Sequence, residues 1–141
     1  MALSPSLSPA RGFPHFNSLV YPTINPTVVN AASAATYTAQ SLLSGMILRD
    51  PAGAARSDTL PSAALLVAAL PGVAVGTTFR VIVRNDAGGA FAITVLTAPG
   101  VTLSGTMTIA QSNLKVFMVR FTNISPGTEA YTVYSLGSAV F

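Results

Sequence analysis

From residue 78 to residue 136 the apolar residues recur at every second position in short runs, and Gly, Pro, Asn and Ser interrupt the runs roughly every 8 to 12 residues. A period of two sends alternate side chains to opposite faces of a strand, so this half of the chain is expected to bury its apolar residues between sheets. The clearest run is Thr78–Asn85, with Phe79, Val81 and Val83 on one face and Arg80, Ile82 and Arg84 on the other. Asp86-Ala87-Gly88-Gly89 reads as a hairpin turn whose glycines supply positive φ, and Phe91, Ile93 and Val95 form the apolar face of the returning strand. Ala98-Pro99-Gly100 ends that strand, and residues 101–104 and 106–109 read as short strands about a bend at Gly105. Residues 114–122 are apolar on both faces, the pattern of a central strand, and residues 130–136 form the last one. The rhythm predicts an all-β fold: an antiparallel β-sandwich, jelly-roll-like, with one short helix and an extended N-terminal arm.

The stretch 36–70 is where the periodicity changes. Thr36-Tyr37-Thr38 reads as the start of a strand, Ala39–Leu43 as one helical turn closed by Gly45, and Met46-Ile47-Leu48-Arg49 as a short buried strand. Asp50-Pro51-Ala52-Gly53 has the residues of a type I turn. Pro61 suits the first position of a helix over 61–70, which Pro71-Gly72 terminates, with one face of Leu65, Leu66 and Leu70 buried.

Ahead of this stretch, residues 1–33 contain five of the ten prolines. Proline fixes φ and biases its predecessor toward extended geometry, so the segment reads as an extended arm and residues 34–141 as the β-domain. Disordered tails lack aromatic and β-branched residues. This arm instead carries Phe13, Phe16, Leu19, Val20, Tyr21, Ile24, Val28 and Val29, with Arg11 beside them, anchors that serve equally an arm folded back on its own domain and one that crosses onto a neighbouring subunit.

Composition narrows the function. Half of the 141 residues are hydrophobic and 8 % are charged, against roughly 25 % charged in an ordinary soluble domain. A surface so poor in charge is expected to be covered in part by other copies or another protein. The longest apolar run is far shorter than the ~20 residues of a membrane span, so no membrane partner is expected. There is no cysteine to form a disulfide or a thiolate metal site, and the first residues lack the pattern of a secretory signal. The formal charge of +3 is scattered along the chain, unlike the basic stripe of a nucleic-acid binder, so no nucleic-acid partner is expected either.

The residues that do proton transfer or bind metal are few. The single histidine, His15, lies in the arm. Asp50 and Asp58 read as braces, Asp50 capping its proline turn and Asp58 sitting near the N-terminus of the 61–70 helix, where the dipole favours an anion. Asn123-Ile124-Ser125 matches the glycosylation sequon without an export signal to make it meaningful. No enzyme, no cofactor and no metal are expected, and Arg80, Ile82 and Arg84 are expected to form an oligomer interface.

Four segments carry a family resemblance: Ile47-Leu48-Arg49-Asp50, Asp58-Thr59-Leu60-Pro61, residues 106–111, and Glu129-Ala130-Tyr131-Thr132-Val133-Tyr134-Ser135. Over residues 36–137 the chain resembles the capsid cement, or decoration, proteins of tailed bacteriophages. The resemblance implies a compact β-sandwich virion protein, made in the host cytoplasm, that sits on the outer surface of an icosahedral capsid and clamps major capsid subunits. It implies self-association as well, with a homodimer expected over a homotrimer. Residues 1–35 fall outside it, so the arm's role rests on composition alone. The alternative is a glycan- or receptor-binding module of a viral fibre or spike, for which the loops offer Asn85, Asp86 and Asn113.

Overall fold

The computed structural model describes residues 24–141. Arg11, Phe13, His15, Phe16, Leu19, Val20 and Tyr21 lie outside that range, and so does most of the predicted arm. The described chain is largely β, with two short helices. In order, the elements are β1 (Thr27–Asn30), α1 (Ala39–Leu43), β2 (Met46–Asp50), β3 (Arg56–Thr59), α2 (Ala63–Ala68), β4 (Thr78–Asn85), β5 (Ile93–Leu96), β6 (Val101–Ser104), β7 (Thr108–Ile109), β8 (Asn113–Asn123) and β9 (Ala130–Val140).

The strands make two sheets, a six-stranded one in the order β1-β2-β4-β8-β9-β6 and a three-stranded one in the order β3-β5-β7. From β2 to β8 the chain alternates between the sheets at every step. This alternation corrects the expectation of antiparallel sheets. The neighbouring strands β2 and β4, and likewise β3 and β5, are separated in sequence by one visit to the other sheet, a crossover that permits parallel pairing where a tight hairpin does not. The pairs β1·β2, β2·β4, β3·β5 and β6·β9 are parallel, while β4·β8, β5·β7 and β8·β9 are antiparallel.

The same alternation corrects the hairpin expected at 86–89. β4 and β5 are in different sheets, and the turn is a corner between them. Asn85 holds the corner: its fully buried side chain donates Nδ2–H to the carbonyls of Phe91 (2.8 Å) and Ile109 (3.0 Å), and its Oδ1 accepts from the Ala87 amide. β1 falls within residues 1–33, so the sheet begins inside the stretch assigned to the arm.

Local chemistry sets the helix ends. Thr38 caps α1 by accepting from the Ser41 amide, and Gly45 follows at φ 82°. The sequence anticipated one helix apart from this turn, beginning at Pro61; the second helix, α2, instead begins two residues later, with Ser62 as its cap and Pro61 ahead of the cap. Leu66 is fully buried, but Leu65 points outward and is 63 % exposed. At the proline turn Ala52 takes φ 50°, which a type I turn does not use at that position. Asp50 Oδ1 accepts from the Ala52 amide at 2.9 Å and stabilises the tighter arrangement.

The inner faces of both sheets fill one core. Val81 and Val83 of β4, Phe117, Val119 and Phe121 of β8, and Tyr131 and Val133 of β9 meet Ile93, Val95 and Ile109 of the smaller sheet, all at most 3 % exposed. Each buried branched side chain of this size contributes about 1.5–3 kcal/mol relative to an exposed one. Tyr131 also donates its hydroxyl to the Pro61 carbonyl at 2.6 Å, which ties β9 to the start of α2. Burial raises its pKa well above the ordinary tyrosine value, so the phenol remains a donor.

Gly100, at φ 79°, packs so closely that an added Cβ would overlap the Glu129 carbonyl oxygen and lie 2.7 Å from Ala63 Cβ. Gly100→Ala is therefore expected to cost about 2–3 kcal/mol in urea unfolding, through strain at positive φ together with overpacking. Gly88→Ala, where a Cβ meets nothing within 4 Å and φ is not positive, is expected to stay within about 0.5 kcal/mol of the parent.

Candidate interaction surface and the buried ion pair that positions it

The strongest electrostatic feature lies between the two sheets. Arg49 comes from β2 of the larger sheet and Asp58 from β3 of the smaller, and both side chains are fully buried. The carboxylate takes the guanidinium in a fork, with Nε–Oδ2 at 2.6 Å and Nη2–Oδ1 at 3.0 Å. Its remaining acceptor sites take the Tyr37 hydroxyl at 2.9 Å and the Ala35 amide at 2.8 Å. The other arginine N–H groups go to main-chain carbonyls of Asp50 (2.6 Å), Ala31 (3.0 Å) and Ser33 (2.9 Å), with Val29 more distant at 3.4 Å. All five donors of the guanidinium are thus used.

Burial alone would raise the Asp58 pKa, but the bonds from Arg49, Ala35 and Tyr37 and the Arg49 charge outweigh it and hold the carboxyl below its ordinary range. Burial would likewise lower Arg49, yet the hydrogen bond and charge of Asp58 raise it. Burial and the adjacent carboxylate push the Tyr37 phenol far up, so it stays protonated as a donor. This cluster corrects the role expected of Asp58: it caps no helix, and it bonds across to a different sheet. Asp50 and Asp58 do not form a carboxylate pair, since Asp50 faces its own turn.

What the cluster positions is the chain before α1. Four of the Arg49 and Asp58 partners, Ala31, Ser33, Ala35 and Tyr37, lie on the segment that leads away from β1. Parallel pairing of Thr27–Asn30 with residues 47–50 and a bridge from Thr36 to Thr59 anchor the two ends of that segment. Of the predicted arm anchors inside the described range, Val28 and Val29 lie in β1, and Ile24 stands just ahead of it and is 61 % exposed.

The outer face of the larger sheet is built by the alternation already legible in the sequence. Cross-strand registers align Val28, Leu48, Arg84, Leu114 and Ala139 in one row and Met46, Ile82 and Val116 in the next. A third row holds Arg80, Met118 and Tyr134. Arg80, Ile82 and Arg84 thus share one face. Arg80 is exposed and Ile82 half-buried. Arg84 is partly engaged within the chain: its Nε lies 2.6 Å from Asp86 Oδ1, and its guanidinium sits 3.9 Å from the centre of the Phe141 ring.

Sequence reasoning missed Lys115. It lies inside the strand read as apolar, points inward, and donates Nζ–H to the Thr106 carbonyl at 2.7 Å. Burial lowers its pKa. A groove of about 660 Å³ runs between the N-terminus of α1 and the outward side of α2, past Leu65 and Pro99, with an apolar lining. Among the described residues no three His, Asp or Glu side chains gather in one place, and no helix is long and apolar enough to cross a membrane.

No family model, curated protein or solved structure matches this chain.

Removing one half of the ion pair strands the other as an uncompensated buried charge. Arg49→Met is expected to lower unfolding free energy by about 3–5 kcal/mol. Because the folded pKa of Asp58 is depressed, its stabilisation is complete above the unfolded carboxylate range and fades as pH falls through the lower folded value. Asp58→Asn is expected to be less stable than the parent near neutrality, and to lose less stability than the parent between about pH 6 and pH 2, as read from urea unfolding curves.

Proposed function

We propose that the protein is a capsid cement protein, a structural virion component that binds the outer surface of an icosahedral capsid and bridges major capsid subunits. The observation that carries this reading is the half-exposed apolar face of the larger sheet, formed by Leu48, Ile82, Leu114, Val116 and Met118, on a chain with 8 % charged residues. A face of that character is stable in water when another protein covers part of it. The resemblance of residues 36–137 to phage decoration proteins gives the partner, a major capsid protein. The finer fold reading, two sheets packed as a jelly-roll-like sandwich, accords with the shared core.

In this reading the domain is a rigid base and residues 1–23 are the reaching element. The Arg49 cluster holds residues 29–35 against the domain, so the segment before β1 departs from a defined edge of the larger sheet. Twenty-three extended residues reach on the order of 75 Å, enough to cross from one capsid subunit to the next. Repetition of weak contacts around a symmetric shell multiplies their effect, since each attached copy holds its arm at high effective concentration.

A chain lacking residues 1–22 keeps β1 and the whole ion-pair cluster, and is expected to fold with unchanged far-ultraviolet circular dichroism. Its binding to capsids of the encoding phage, measured by co-sedimentation, is expected to fall at least ~100-fold. Decoration by the truncated chain as strong as by the full one would refute the arm's role. A full chain that ignores capsids but gives saturable hits on a glycan array would favour the receptor-binding module instead.

A further inference from the structure

The groove between α1 and α2, of about 660 Å³, is lined by apolar and hydroxyl side chains, Tyr37, Leu60, Leu65 and Pro99 among them, and by no charged one. Its volume is that of a built binding site, roughly 300–1,000 Å³. It also holds an open strand edge. Residues 35–37 run parallel to β3: the Ala35 carbonyl accepts from the Thr59 amide, and the Tyr37 amide donates to the Thr59 carbonyl. Alternation along an extended chain then turns the N–H and C=O of Thr36 to the opposite edge, where they meet no main-chain partner among the described residues. Thr36 itself lines the groove. Unpaired main chain beside an apolar trough is the setting in which a sheet accepts an added strand.

The chain ahead of β1 is within reach of that edge. Parallel pairing puts the start of β1 at the same end of the larger sheet as the start of β2, which is the end that α1 feeds. There Thr27 Oγ1 donates to Ser44 Oγ at 3.2 Å. Ser44 and Thr38 are the two caps of α1, about 9 Å apart along its axis, and Thr38 lines the groove. Residues 15–21 stand three to nine positions before Ile24, so an extended chain carries them about 10–30 Å from it.

We propose that residues 15–21 of this chain seat in its own groove as an added strand beside residues 35–37. His15-Phe16-Asn17-Ser18-Leu19-Val20-Tyr21, between Pro14 and Pro22, is the longest proline-free run ahead of β1, so each of its amides can enter a ladder. It contains no Asp, Glu, Lys or Arg, which suits a lining without charge, whereas a charged partner would find no counter-charge there. The period of two sends Leu19 and Tyr21 to one face, toward Leu65 and Pro99. Seating this run leaves residues 1–14, with Arg11 and Phe13, for contacts outside the chain. The inference does not rest on the capsid reading: an arm seated on a chain that binds no capsid leaves it intact.

Because the chain has no cysteine, two introduced cysteines report a single contact. The full chain carrying Leu19→Cys and Leu65→Cys is expected to form an intramolecular disulfide under mild oxidation at least ~10-fold faster than one carrying Leu19→Cys and Gly88→Cys. Gly88 lies past the far end of β4, where an added side chain meets nothing within 4 Å. Chymotrypsin cleavage after Phe16, Leu19 and Tyr21 is expected to be about 10-fold slower in the parent than in Leu65→Asp, a change at an exposed position that leaves circular dichroism unaltered. Equal cross-linking rates for the two cysteine pairs, or cleavage of the parent as fast as of Leu65→Asp, overturns the proposal. A disulfide that joins two chains, seen as twice the mass of 14.4 kDa, overturns it as well, since a neighbour's arm would then occupy the groove.

Discussion

The fold depends on one buried ion pair that spans its two sheets. Arg49 and Asp58 are nine residues apart in sequence and lie on strands that share no ladder, so their fork is a direct, charged tie between the two sheets, beside the single neutral bond from Asn85 to the Ile109 carbonyl. Dehydrating two charges costs several kcal/mol per ion, and their mutual attraction offsets that cost only when the geometry is good and every remaining donor and acceptor is met. Here that condition holds: five guanidinium donors and the carboxylate oxygens all find partners, several of them main-chain groups of residues 31–35. A hydrophobic pair of equal volume would hold two sheets together as well, but it has no directional means of holding an irregular segment whose carbonyls need donors.

From that joint the rest follows in layers. With residues 29–37 fixed, β1 extends the larger sheet by one strand and the chain passes into α1 with Thr38 already in place as its cap. The inner faces then close over Ile93, Val95, Phe117, Val119 and Tyr131, and the polar corners are sealed individually by Asn85, Lys115 and the Tyr131 hydroxyl. The apolar rows on the outer face of the larger sheet stay half-exposed among the described residues.

The sequence was most informative where one strand could be read by itself. The alternation Phe79, Val81, Val83 against Arg80, Ile82, Arg84 located β4 with its bounds and its inner face, and Gly45 closed α1 as expected. It was least informative where the answer depended on which sheet a strand joins. Asp86-Ala87-Gly88-Gly89 has turn chemistry, but the same residues serve a hairpin and a corner between sheets, and the deciding group is the buried Asn85 amide one residue earlier. Asp58 had a plausible local role near a helix, whereas its partners Arg49, Tyr37 and Ala35 lie 9 to 23 residues back, beyond the reach of periodicity. One signal was nonetheless present: an arginine inside the apolar run Met46-Ile47-Leu48-Arg49, too costly to bury without a carboxylate partner.

The consequence of this arrangement is that residues 31–35, which have no regular structure, are held to the domain at a defined place by charge. Native-state hydrogen exchange measures that directly. The account predicts that the amides of Ala35, which donates to Asp58, and of Tyr37, which donates to the Thr59 carbonyl, exchange only through unfolding on the scale of the whole domain, within about 1 kcal/mol of the β8 amides. Rapid exchange at Ala35 and Tyr37 while β8 stays protected would contradict it, because the segment would then be opening locally with the ion pair unable to hold it.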